Sequence, residues 1–122
     1  MQVLISIGSN FEAQTNVPEA IRLLSQLLVD ASVSRIITTR PFGEQYKDNF
    51  HNCLIKGFTS LSIDALEKLL KHVEQRIGRI SGSKITGIVH IDLDILMYDG
   101  VKYHLNDWKR PYVLKLIDEV SD

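Results

Sequence analysis

A single cysteine, Cys53, leaves this chain no partner for an internal disulfide. It lies in an apolar run and reads as a small core residue rather than a nucleophile. Without paired thiols, a reducing, cytoplasmic setting is expected. Charge of either sign is missing as an excess: 14 Lys and Arg stand against 15 Asp and Glu, for a net charge of −1. That argues against a general nucleic-acid surface, which needs a basic surplus, while leaving room for a local basic pocket around a nucleotide. Long apolar runs are also missing. None approaches the roughly 20 residues that cross a bilayer, and the N-terminus lacks the basic-then-apolar pattern of a secretion signal. There is no repeat, linker or low-complexity tract, so residues 1–122 are expected to form one domain. His51, His72, His90 and His104 lack metal-ligand spacing. No nucleophile elbow and no Ser/His/Asp arrangement is present. Nothing in the sequence fixes an oligomeric state.

What is present is concentrated in one segment, His90-Ile91-Asp92-Leu93-Asp94-Ile95-Leu96-Met97. Residues i and i+2 of a strand point to the same face. Asp92 and Asp94 then project side by side while Ile91, Leu93 and Ile95 anchor the other face in a core. His90 falls on the acid face. Burying two adjacent carboxylates is costly unless a cation neutralises them. A hard divalent cation carrying a phosphate substrate meets that need. A half-exposed acidic strand is the plainer alternative.

The rest of the chain supplies a frame. Residues 2–7 read as a strand, broken by Gly8-Ser9-Asn10. Pro18 suits the first turn of a helix that runs on through Leu23, Leu24, Leu27 and Leu28. Residues 32–39 are β-branched and alternate, as a second strand does, and residues 40–49 read as a loop. Residues 50–58 form a third strand, with Phe50, Asn52, Leu54 and Lys56 on one face. Ser62 caps a second helix whose buried stripe is Leu66, Leu69, Leu70, Val73 and Ile77, ended by Gly78. Residues 89–98 make the fourth strand, and residues 112–120 a final short helix. This order predicts an α+β domain, a ferredoxin-like βαββαβ antiparallel sheet with two helices on one face and a short C-terminal extension. The acid pair is expected on a central strand.

Three further features admit both a chemical and a plain reading. Glu74 and Arg79 bracket the end of the second helix, where an arginine either clamps phosphate or simply answers the helix dipole. Gly8-Ser9-Asn10 links a strand to a helix but is no Walker loop, since no Gly-Lys-Ser/Thr follows. Phe42, Phe50 and Asn52 surround a Pro41/Gly43 loop. Two rings and an amide suit a flat heterocycle, or pin a loop to the core.

Together these segments resemble the 6-hydroxymethyl-7,8-dihydropterin pyrophosphokinase family of folate biosynthesis, over nearly the whole chain. The resemblance rests on Ile5-Ser6-Ile7-Gly8-Ser9-Asn10, on Thr39-Arg40-Pro41-Phe42-Gly43 with Phe50-His51-Asn52, on Glu74 with Gly78-Arg79, on Ile91-Asp92-Leu93-Asp94-Ile95-Leu96, and on Arg110-Pro111-Tyr112-Val113-Leu114. It implies that Asp92 and Asp94 hold two magnesium ions that bridge the phosphates of ATP. It implies that Glu74, Arg79 and Arg110 line the nucleotide site, with the backbone near Ile95 at adenine and His104 at phosphate. Phe50 and Tyr112 would stack on the pterin and Asn52 pair with its polar edge. Thr39, Pro41 and Phe42 would shape the pocket, and Asn10 would lie near the reacting groups. Arg79, Asp92, Asp94 and Arg110 would carry catalysis. The implied partners are ATP and a pterin, with no nucleic acid or membrane. The implied reaction is pyrophosphate transfer to the pterin hydroxymethyl group with release of AMP.

The chain departs from the family pattern just before the acid pair. Where the family carries Arg-Trp-Gly-Pro-Arg, this chain has Ile85-Thr86-Gly87-Ile88-Val89. A covering tryptophan and a phosphate-gripping arginine are absent, and Lys84 lacks the planar fork of arginine. The stretch up to Arg110 is shorter than usual, and the chain stops soon after Val120. A more open or slower site is expected. Two alternatives stand beside the enzyme: a pterin- or nucleotide-binding homologue with impaired catalysis, and a small interaction module in which Asp92 and Asp94 are merely solvated.

Overall fold

The computed structural model describes residues 1–40, 48–78 and 87–121. The described chain runs β1 (Gln2–Ser9), α1 (Ala13–Leu27), β2 (Val29–Val33), β3 (Ile37–Thr39), β4 (Phe50–Phe58), α2 (Ile63–Ile77), β5 (Asp92–Tyr98), β6 (Val101–Lys102), a 3₁₀ turn (Asp107–Lys109) and α3 (Pro111–Val120). The six strands form one sheet in the order β2-β4-β1-β5-β6, with β3 also paired to β4. Every pairing is antiparallel.

β1 lies at the centre because it is apolar on both sides. Val3, Ile5 and Ile7 face α1 and α2 and join Val17, Ala20, Leu24, Leu66, Leu70 and Val73 in the larger core. Leu4 faces the other way and joins Leu54, Leu96, Val113, Leu116 and Val120 beneath α3. The C-terminal segment is therefore no peripheral extension; it covers the second face of the sheet. Pro111 opens α3 at its first position, where the missing N–H costs nothing. Ser62 caps α2 by accepting the Ala65 N–H at 3.2 Å, and Gly78 closes it at φ 121°. Cys53 is fully buried, and burial pushes its thiol up to about 12, as a core residue requires.

Four expectations are corrected. The first helix starts at Ala13, so Pro18 lies inside it. Glu12, in a left-handed conformation at φ 45°, turns the chain early, and its carbonyl accepts the Thr15 and Asn16 N–H groups. The strand read at 32–39 is two short strands. They flank Ser34, whose hydroxyl accepts the Leu54 N–H at 2.8 Å. The acid-bearing strand begins at Asp92 and not at 89. His90 thus leaves the strand face and packs its ring on Phe11, with centroids 4.6 Å apart, and over Gly78. Nor is that strand central along its length. β6 pairs only with Met97 and Tyr98, so among the described residues no strand flanks the outer side of Asp92–Ile95. Among the described residues, no helix is long and apolar enough to cross a membrane.

Candidate active site

The strand registers build the site. Ile37, Asn52, Gly8 and Asp92 form one row across β3, β4, β1 and β5. Leu54, Ser6 and Asp94 form the next. Thr39 lies opposite Phe50 at the far corner. All point to the face that α3 partly covers. Asn52 and Asp92 are separated by the bare backbone of Gly8, a gap of two strand spacings, or about 10 Å.

The glycine keeps that gap open. A Cβ on Gly8 would stand 2.8 Å from the Asn52 Oδ1 and 3.9 Å from the Phe50 ring. The Asn52 amide cannot simply swing aside, because its Nδ2 donates to the Thr39 Oγ1 at 2.5 Å. Its carbonyl oxygen is thereby aimed at the space above Gly8. Phe50, Asn52 and Thr39 thus form one cluster, while Pro41 and Phe42 lie outside the described residues.

On the other side of Gly8 a cavity of about 500 Å³ runs along the open edge of β5. It brings together Glu74, Asp92, Asp94, Ile95 and His104, which the sequence analysis singled out separately. Glu74 reaches over from α2 and accepts the Leu93 N–H at 2.8 Å. Alternation along the strand turns the peptide groups of Ile95 to the same edge. Arg79 lies outside the described residues.

The two acids lie close enough to affect each other's titration. Asp94 is pushed up to about 8, first by burial, then by the charge of Asp92 and a hydrogen bond to it, then by the charges of Asp107 and Glu74. Tyr112 is raised by burial, opposed by its hydrogen bond with Ser6 and by the charge of Arg110. Its hydroxyl lies 3.0 Å from the Ser6 Oγ, and its ring belongs to the second core. Tyr112 is therefore a packed wall of the site. Arg110 caps the start of α3, its Nε 3.2 Å from Asp107 Oδ1.

Both ends of the Asn10 amide are engaged by backbone groups. Its Nδ2 donates to the Gly87 carbonyl at 2.8 Å and its Oδ1 accepts the Val89 N–H at 2.6 Å. The amide staples the β1–α1 turn to the segment entering β5. Sequence reasoning missed Ser6, Asp107 and the spacing role of Gly8. Ser6 stood in the opening motif without a role and Asp107 in none, and only strand register and the 3₁₀ turn bring them to the acids.

The chain is a small α+β domain with an acid-lined cavity at the edge of β5 and an aromatic and amide cluster across Gly8 from it. Over residues 4–122 the chain matches the family model of 7,8-dihydro-6-hydroxymethylpterin-pyrophosphokinase, and it belongs to that family. It is 33% identical over 125 residues to the folate synthesis bifunctional protein of Arabidopsis thaliana, covering 93% of this chain and 25% of that one. A second Arabidopsis thaliana protein, named as a mitochondrial folate synthesis bifunctional protein, is 30% identical over 123 residues, covering 93% and 22%. The 2-amino-4-hydroxy-6-hydroxymethyldihydropteridine pyrophosphokinase of Aquifex aeolicus (strain VF5) is 32% identical over 97 residues, covering 79% of this chain and 60% of that one. The chain thus spans less than two thirds of the length of these relatives.

Proposed function

We propose that the chain transfers pyrophosphate from ATP to the hydroxymethyl group of 6-hydroxymethyl-7,8-dihydropterin in folate biosynthesis, releasing AMP, with magnesium. The observation that carries this reading is the pairing of two compartments across Gly8, one acidic and one aromatic. A flat heterocycle suits the cluster of Phe50 and Asn52, and a triphosphate the cavity beside Asp92 and Asp94. We read the architecture as ferredoxin-like, with β2 and β3 as one interrupted strand and β6 as an addition. The single cysteine suits a reducing compartment such as the cytoplasm.

The residues fit a hard cation. Asp92 and Asp94 offer oxygen donors only, and burial and the charge of Asp92 hold Asp94 near 8. Among the described residues no third His, Cys, Asp or Glu completes a ligand cluster. That leaves further positions to phosphate oxygens and water, the arrangement magnesium favours. When bound, two such ions would neutralise charge on the phosphates. Asp92 and Asp94 would hold them.

The other residues orient and enclose. Phe50 stacks on the pterin, with Tyr112 as the second aromatic wall and Thr39, Pro41 and Phe42 shaping the pocket. Asn52 accepts from the ring's polar edge through the oxygen that Thr39 fixes in place. Ile95 presents backbone groups to adenine, Glu74 holds the strand edge and His104 walls the cavity. Arg79 and Arg110 grip phosphate oxygens. Asn10 acts at one remove, by holding the entry to β5. In the transfer, the pterin hydroxymethyl oxygen gives up its proton to solvent water and bonds to the β-phosphorus. The bond from that phosphorus to the α,β-bridging oxygen breaks, and AMP leaves with that oxygen. Alignment of the two substrates and charge stabilisation supply the rate.

Pterin-dependent AMP formation from magnesium-ATP, followed by chromatography, tests the reading. Its absence from folded protein that still binds either substrate would favour the binding-only homologue, the alternative suggested by Ile85–Val89. No shift of melting temperature with either substrate would remove both and leave the interaction module.

Gly8→Ala is expected to weaken pterin binding roughly ten- to a hundredfold, the worth of one or two hydrogen bonds to a fixed amide. ATP binding should stay near wild type. Calorimetric titration of each ligand separates the two, and an equal loss of both would mean that the compartments are not divided at Gly8.

A further inference from the structure

Between β6 and α3 the chain makes one tight turn that holds two of the residues assigned above. His104 sits in a left-handed conformation at φ 52°. That costs about 1–2 kcal/mol for a residue with a Cβ, so the surroundings must impose it. Its carbonyl accepts the Asp107 N–H at 2.8 Å. Asp107 in turn holds Arg110 twice. Its carbonyl accepts the Arg110 N–H at 3.0 Å, and its carboxylate lies 3.2 Å from the Arg110 Nε. The whole turn is pinned to the acid-bearing strand. The Trp108 Nε1 and the Tyr103 N–H both donate to the Leu96 carbonyl, each at 2.9 Å. Leu96 lies two residues beyond Asp94. The Lys102 ammonium caps the Trp108 ring from 4.6 Å.

An isolated surface ion pair would contribute almost nothing. This one differs in its order. The Asp107 side chain is 19% exposed and that of Arg110 40%, so the acid is the fixed partner and the arginine the presented one. A carboxylate here also adds to the repulsion on Asp94 and by itself opposes an anionic ligand. Its placement makes sense through the arginine it holds.

We propose that Asp107 is the positioning residue of the phosphate clamp: its carboxylate fixes the guanidinium of Arg110 at its root, in the same turn that sets His104 at the wall of the acidic cavity. The proposal rests on the reading of Arg110 as a contact of the ATP phosphates. Contact at Nε sets the plane of the guanidinium, which bidentate recognition of phosphate requires.

The test compares Asp107→Ala, Asp107→Asn, Arg110→Ala and the double variant Asp107→Ala/Arg110→Ala. Binding of magnesium with α,β-methylene-ATP is measured by calorimetry, and KM for ATP and for the pterin by AMP formation. Asp107→Ala is expected to weaken nucleotide binding and raise KM for ATP about tenfold, with pterin KM and melting temperature near wild type. Asp107→Asn keeps an acceptor oxygen and should recover much of the loss. Adding Asp107→Ala to Arg110→Ala should change nothing further, because the acid acts through the arginine. Additive losses, or a raised magnesium requirement, would overturn the proposal by making Asp107 an independent group such as a third cation ligand. Equal loss for ATP and pterin would overturn it as a folding effect. An Arg110→Ala effect without an Asp107→Ala effect sinks this proposal alone. No effect of Arg110→Ala on ATP sinks the assignment of Arg110 beneath it.

Discussion

Asp94→Asn is expected to cost turnover roughly 10²- to 10³-fold or more and, without metal, to make the protein more stable than wild type in alkali. Both effects come from one fact. Burial and the neighbouring Asp92 hold the Asp94 carboxyl at about 8, against an ordinary 3.8. The folded chain therefore favours the protonated form. The stability this contributes is complete below the unfolded value and is lost as pH rises through the folded one. Asparagine resembles the protonated acid and has no proton to lose. In a metal-free buffer the wild-type melting temperature should fall between about pH 4 and about pH 8, and that of the variant should fall less. Magnesium should lift the wild type at the alkaline end by binding the ionised pair, and barely move the variant. A flat wild-type profile, or a variant with undiminished turnover, would discard the cation assignment.

Leu116→Ala is expected to destabilise the fold by about 2–5 kcal/mol, lowering the melting temperature by roughly 10 °C or more. Leu116 is fully buried and meets Leu4, Leu54 and Leu96, one from each of the three inner strands. The cavity it leaves lies at the centre of the second core. Leu114, two residues away and 62% exposed, supplies the control. Leu114→Ala should stay within about 0.5 kcal/mol of wild type. Thermal melts of both variants decide the matter, with turnover assayed well below the transition, where Leu116→Ala should keep most of it. A Leu116→Ala cost no larger than that of Leu114→Ala would make α3 an appendage, contrary to its packing.

That helix also marks where sequence reasoning reached and where it stopped. Its existence was legible from the apolar spacing of residues 112–120, but its place was not. The signal lay in Leu4, Leu54 and Leu96, apolar residues on the face given to the acids, which require a cover of their own. α2 was legible to its ends because Ser62 and Gly78 act locally. The start of α1 was not, because Pro18 imitates a first turn while the turning is done by Glu12 in a left-handed conformation. The break between β2 and β3 depends on a hydrogen bond from the distant Leu54 N–H to Ser34. Asp92, Asp94, Glu74 and His104 line one cavity; the acids were legible from strand alternation, whereas His104 was named only through the family resemblance. Asp107 was invisible because its value lies in a turn whose anchor, Leu96, belongs to another element. His90 was misplaced by a strand extended three residues too far, past the point where β5 begins.

The staple made by Asn10 has a consequence for how this chain's descendants would read. Its amide binds the Gly87 carbonyl and the Val89 N–H, so it answers to the architecture and not to chemistry. A lineage that abandoned both acids would still lose folded protein if it lost Asn10. The Gly8-Ser9-Asn10 signature would then outlive the activity, and a search built on it would gather working and retired members alike. On the proposed reading Asp92 and Asp94 serve the cation rather than the fold, and they would be the first to drift once function lapsed. On that reading the pair, rather than the turn, would mark a working copy.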